Sequence, residues 1–268
     1  MQWFRRLGWI SRVVAWEVVG AAVPVVVALL CLGRPEVGSA GEVRVAVAAH
    51  FAGAFEQLAA DFSSRTGHVV RTSTGSTGKF LMQIRHGAPF DLLLAADTVT
   101  PQRLMETGWG RPNDRWTYAQ GRLVLWSARG LPLHDGRVLA QSRIRHVAWS
   151  EPKLSPYGAA AVETLKAIGL YDTVQPRAVV GENVAHAFQF VATGHADVGF
   201  VALAQVRKPP TGVPGTWWLV PARMHAPLRH DALLRRDPRD PVAAQALRAY
   251  LNSSAARRII QAHGYEVP

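Results

Sequence analysis

The chain has 268 residues, of which 49% are hydrophobic and 18% charged, with 23 glycines and 17 prolines. That is enough apolar surface for one large core or two modest ones, and it excludes a disordered polymer, a collagen and a coiled coil. Formal net charge is +11, yet only Lys79, Lys153, Lys166 and Lys208 are lysines, and the arginines are scattered singly. Such spacing reads as a solvated surface rather than a nucleic-acid footprint. The single cysteine, Cys31, rules out a disulfide framework and a Cys-ligated zinc site.

Residues 1–40 read as a secretory signal. Arg5, Arg6 and Arg12 precede an apolar run from Val18 to Leu32, and small residues at Gly38 and Ala40 suit cleavage near Ala40. A membrane anchor is the competing reading, but spanning needs about 20 apolar residues. Leu30 before Cys31 is not small, which argues against a lipid anchor. The mature chain from Gly41 would hold no cysteine and rely on packing alone.

From there the pattern alternates strand and helix. Val43 to Ala48 is a short apolar run suited to a strand buried on both faces. Phe51, Phe55, Leu58, Ala59 and Phe62 then recur at helical spacing up to a stop at Thr66-Gly67. Val69 to Ser73 and Phe90 to Ala95 read as strands flanking a short helix from Gly78 to His86. Thr100-Pro101 reads as a cap with proline at the first helical position. Leu123 to Trp126, His146 to Trp149 and Val198 to Leu203 are further strands, and Ala232 to Leu234 lies in another. Gly158 to Ile168, Val184 to Thr193, Ala243 to Leu251 and Ala255 to Ala262 read as helices. The alternation predicts an α/β fold with parallel sheets and helices on both faces.

Sites in such folds lie beyond the carboxyl ends of strands. Those ends carry Ala49-His50, Ser73 to Gly78, Ala95 to Asp97, Ser155 to Gly158, Glu182 to Val184, and Ala202. Small residues and hydroxyls dominate, which fits binding better than chemistry. The segment Thr72 to Gly78 holds five hydroxyls and two glycines between a strand and a helix, a place where backbone N–H groups and a helix dipole receive an oxyanion. The bland alternative is a serine-rich turn that caps a helix. A phosphate-binding P-loop is excluded, because Ser73 stands where a glycine is needed and Phe80 where a Ser or Thr is needed.

Catalytic patterns are weak. Gly75-Ser76-Thr77-Gly78 is one residue short of a nucleophile elbow, and no His-Glu-x-x-His occurs. Glu151, Asp97 and Glu182 fall at strand ends with nothing to pair them for glycosidase work, and Asp97 reads better as a helix cap. The chain reads as a non-enzyme, with a secreted hydrolase using Ser76 as the alternative from another class.

The ordered series Val45 to Ala59, Gly75-Ser-Thr-Gly78, Gln83-Ile with Gly87-Ala-Pro89, Asp91 to Asp97, Val198 to Gln205 and Ala262-His-Gly-Tyr265 resembles the periplasmic molybdate-binding proteins of molybdate ABC transporters. The resemblance runs over nearly all of Val43 to Pro268. It implies a two-lobed type II periplasmic-binding-protein fold, each lobe a mostly parallel sheet flanked by helices. Two hinge crossings are expected near Tyr118 to Val124 and Pro221 to Leu228. Lobe 1 would hold 41–120 plus 228–268, and lobe 2 would hold 121–227. The implied ligand is molybdate or tungstate, held in the cleft by neutral donors. No cofactor, no nucleic acid, a monomeric state and delivery to an ABC permease in the periplasm complete the expectation.

Carried over position by position, the resemblance assigns ligand binding to Ala49, His50, Ser76, Thr77, Ala96, Tyr157 and Val184, with metal contact through molybdate oxygens only. Two departures stand out. Ala49 has no side-chain donor, so His50 would donate instead, and Ala202 replaces a tyrosine, so Tyr157 would supply the phenol. Lys79 beside the loop would add charge. A protonated His50 would make affinity strengthen as pH falls through about 6.5. Sulfate or another tetrahedral oxyanion is the alternative ligand.

Overall fold

The structure, a computed structural model, describes residues 40–207 and 214–268. The expected signal segment, with Cys31, and Lys208 lie outside the described residues. Among the described residues no helix is long and apolar enough to cross a membrane.

Two five-stranded sheets organise the chain. The first has the order β2 (Val69–Gly75), β1 (Glu42–Ala48), β3 (Leu92–Leu94), β10 (Arg229–Leu234), β4 (Arg115–Gln120). The second has the order β7 (Ala178–Gly181), β6 (Val147–Ser150), β8 (Val198–Ala202), β5 (Leu123–Ser127), β9 (Thr216–Leu219). Val43, Val45, Ala46 and Val47 of β1 are fully buried, as an apolar run covered on both faces requires. Helices α1 (Ala52–Thr66), α8 (Pro241–Leu251) and α9 (Ser254–Ala262) pack on the first sheet, so Leu58, Leu247 and Ile260 share a core with Val45 and Leu94. In the second sheet Trp126 stacks on Phe188, with rings 4.6 Å apart and 6° from parallel.

The sheets are mixed rather than parallel throughout. β1, β2 and β3 run together, as do β6, β7 and β8, but β10 is antiparallel to β3 and β4, and β5 to β8 and β9. Each sheet thus has one reversed strand, and each reversed strand is the one entered directly from the other sheet. The chain crosses from β4 to β5 through Gly121 and Arg122, and returns from β9 to β10. The crossings run side by side: the Gly121 N–H donates to the Leu228 carbonyl at 2.8 Å, and the Val220 N–H to Leu123 at 3.1 Å.

Helix boundaries differ from expectation by one or two residues, as where a helix expected from Gly158 begins at Pro156. Helix α3 (Val99–Glu106) begins before Thr100-Pro101, so that pair is not its cap; the Asp97 carboxylate, read as a cap from the sequence, accepts from the Thr100 N–H at 2.7 Å. Removing the stacked ring in the second core should be expensive: Phe188→Ala is expected to cost ~3–5 kcal/mol of stability, read as a lower midpoint in urea unfolding.

Candidate functional site

The carboxyl ends of β1, β2, β3, β6 and β7 face one another between the two sheets. Three helices begin there: α2 (Thr77–Arg85) from the first sheet, and α4 (Pro156–Ala167) and α6 (Val184–Ala192) from the second. They surround a small, partly open cavity of about 10 Å³. Ala49, His50, Ser76, Thr77, Ala96, Tyr157 and Val184 all line it, so all seven sequence-derived positions lie around one space. Gly75, Ser155 and Asn183 line it as well, and no Lys, Arg, Asp or Glu does. The gap beside it is larger, about 160 Å³, and mostly apolar in surface, with Ala52, Ala54, Ala185, Ala204 and Phe188 beside the polar His50, Gln189, Gln205, His263 and Tyr265.

Helix starts carry N–H groups without intrahelical acceptors and a partial positive charge. At α6 the Asn183 side chain accepts from the Ala185 and His186 N–H groups at 3.0 and 3.2 Å, leaving the Val184 N–H outside the cap. Thr77 accepts the Ala96 N–H on Oγ1 at 3.0 Å. The Ala96 amide is therefore spent on the protein, and that bond leaves the Thr77 hydroxyl hydrogen free to turn into the cavity.

Ser76 decides between the cap and the oxyanion readings of its loop. It stands at the N-cap of α2 in extended conformation, yet its side chain makes no capping bond. Its hydroxyl is buried and has no hydrogen-bond partner in the protein. A buried polar atom left in this state costs ~1–3 kcal/mol, which a helix cap would have recovered. Nor, among the described residues, does any histidine hydrogen-bond to the Ser76 hydroxyl to activate it, as nucleophilic catalysis would require.

Two expectations are revised, those for Lys79 and His50. Lys79 does not approach the cavity; its ammonium pairs with Glu182 across the two lobes at 2.7 Å. Ala202 is fully buried and its N–H donates to the Gln205 side chain at 3.0 Å, so it gives the cavity nothing. His50 is buried, and its ring Nε2 meets His230 Nδ1 at 3.1 Å. Burial first, and the facing His230 second, hold the His50 imidazole well below its ordinary range, so it stays neutral.

The sequence reading missed His230, and it named the strand ends holding Asn183 and Ser155 without assigning either a ligand role. Asn183 before an apolar helical run is a cap signal visible in sequence. His230 had no local signal, because a register shift between His230 and Asp231 in β10 aims it inward. Burial lowers the His230 pKa to about 3.

A family model for bacterial extracellular solute-binding proteins matches residues 43–266, and the chain belongs to that family. Among its relatives, the molybdate-binding protein ModA of Azotobacter vinelandii is 45% identical over 227 residues, covering 84% of this chain and 90% of that protein. ModA of Rhodobacter capsulatus is 39% identical over 236 residues, covering 88% and 92%. The solved periplasmic molybdate-binding protein of Azotobacter vinelandii matches with a TM-score of 0.80 at 38% identity, covering 84% of this chain and 99% of that one.

The two buried histidines set a pH dependence of stability. The unfolded chain takes up protons on them near 6.5, whereas folded His230 does so only near 3. The unfolded state therefore binds more protons between those values. Stability should be full above about pH 6.5 and decline as the pH falls toward 3, a decline that thermal melts of wild type show and His230→Phe reduces.

Proposed function

We propose that this chain is an extracytoplasmic, periplasmic solute-binding protein that captures molybdate, or tungstate, in the cavity between its lobes and hands it to an ABC permease. Lobe 1 comprises 41–120 with 228–268, and lobe 2 comprises 121–227; sheet membership and the paired crossings support that division. The protein acts as a monomer, binds rather than transforms its ligand, and uses no cofactor. Ligand contacts come from the main chain at Ala49, His50, Thr77 and Val184, the hydroxyls of Ser76 and Thr77, and the Tyr157 phenol. Ala96 contributes by orienting Thr77.

The observation that carries this reading is the buried Ser76 hydroxyl, unpartnered at the start of a helix inside a cavity free of formal charge. A dianion supplies the acceptor that this hydroxyl lacks. Hydrogen bonds to a charged group contribute ~1.5–3 kcal/mol each, so five or six reach roughly 8–18 kcal/mol. Micromolar to nanomolar affinity needs about 8–12 kcal/mol, and desolvation of the ion together with lobe closure takes up the difference. No lysine or arginine is required.

Calorimetric titration with molybdate, tungstate and sulfate tests the reading: tight binding of the first two and weaker binding of sulfate is expected. No heat and no rise in melting temperature with either molybdate or tungstate would overturn it. Ser76→Ala should weaken molybdate binding by about 10- to 100-fold without lowering the melting temperature of the unliganded protein. With His50 neutral, affinity should stay level between about pH 6 and 8, as titrations at several pH values would show.

A further inference from the structure

The ligand cavity is backed by a chain of side chains that reaches the hinge. His50 Nε2 lies 3.1 Å from His230 Nδ1, and His230 Nε2 lies 3.5 Å from the Tyr157 hydroxyl, at the outer limit of a hydrogen bond. His50 follows β1, His230 is on the returning crossing strand β10, and Tyr157 opens helix α4 of the other lobe. The three rings lie close, His50 to His230 at 4.1 Å and His50 to Tyr157 at 5.1 Å between centroids. A second observation comes from the other crossing. A Cβ on Gly121 would fall 2.1 Å from the Tyr157 hydroxyl and 2.6 Å from the His230 ring, so only glycine there leaves phenol and imidazole room to meet.

We propose that His230 is a positioning residue for oxyanion binding, which holds the Tyr157 phenol across the hinge with its hydrogen directed at the anion. This inference rests on the oxyanion reading above. Two neutral imidazoles and one phenol can order their hydrogens in only two ways. In one, His50 Nε2–H donates to His230 Nδ1, His230 Nε2–H donates to the Tyr157 oxygen, and the phenol hydrogen is left for the ligand. In the other, the phenol donates to His230, His230 donates to His50, and Tyr157 turns lone pairs toward a dianion. A bound dianion selects the first order. A donor entering the phenol oxygen also polarises its O–H, so the outgoing bond strengthens.

Neutrality of both rings follows from their surroundings. Besides each other, they face the rings of Tyr118, Tyr157 and Tyr265. The adjacent acid, Asp231, is taken by Arg115 at 2.6 Å and by the Thr117 hydroxyl at 2.7 Å. In the selected order His50 Nδ1 carries no hydrogen, so His50 serves the anion through its main-chain N–H and not through its ring.

The test is a double-mutant cycle on molybdate affinity with wild type, His230→Phe, Tyr157→Phe and the pair. His230→Phe should weaken molybdate about tenfold or more in the wild-type background and by less than about threefold in the Tyr157→Phe background, since it acts through the phenol. His230→Gln, whose amide reaches the Nε2 position, should recover part of the loss, and Gly121→Ala should weaken binding by crowding the pair. Nitrogen NMR of ring-labelled histidines should report the Nε2–H tautomer at both positions in the molybdate complex. Unchanged affinity in His230→Phe, an equal loss in both backgrounds, or an Nδ1–H tautomer at His230 would overturn the proposal. If His230→Phe does not fold, the Gln and Gly121→Ala variants with the tautomer measurement decide it. Wild type that binds molybdate while the cycle shows no coupling refutes this inference alone; wild type that does not bind refutes the oxyanion reading.

Discussion

Donors held inside the protein without an acceptor of their own are the constraint on which the cleft depends. The Ser76 hydroxyl is buried and unbonded, and Thr77 and Val184, which open α2 and α6, line the same space. Such an arrangement is unfavourable in the empty protein and would become favourable if a compact dianion, the proposed ligand, filled it. The absence of lysine and arginine from the cavity walls is part of the same solution. A fixed cation would attract any anion from a distance, whereas dipoles set at defined positions reward the one whose oxygens match them.

The rest of the fold holds those dipoles in place. Each crossing enters its new sheet as the strand that runs against the others, and the two crossings are hydrogen-bonded to each other. The hinge is therefore a narrow paired ribbon, and Gly121 and His230 sit on it. Rings buttress the cavity from behind: Tyr265 donates to the His50 carbonyl at 2.6 Å and Tyr118 to the Ala95 carbonyl at 2.9 Å, fixing the chain next to two lining residues. Burial in this aromatic layer keeps His50 and His230 uncharged.

Much of this was legible in the residues. The central strands announced themselves as apolar runs, and reading strand ends in order marked the segments from which the family resemblance picked the positions Ala49 through Val184 that line the cavity. The strands that escaped notice, β4, β7 and β9, are all sheet edges. With one neighbour and a half-exposed face they need no continuous apolar run, so Arg115–Gln120 and Thr216–Leu219 look like loop. The reversal of β5 and β10 was hidden for a different reason: strand direction depends on where a crossing lands, and no local pattern encodes it. Lys79 misled because proximity in sequence to the Ser76 loop suggested a ligand role, while Glu182, distant in sequence, holds it. His230 was invisible for the same reason in reverse.

Gly78 carries a kinetic consequence. Its N–H donates to the Leu154 carbonyl of the facing lobe at 3.1 Å, and a Cβ there would press on the Leu154 backbone at 3.1 Å. Together with the half-exposed Lys79–Glu182 pair, this contact joins the two rims beside the cavity. On the proposed function, a bound anion could leave only once these rims part, so its dwell time would depend in part on this main-chain bond and this solvated ion pair.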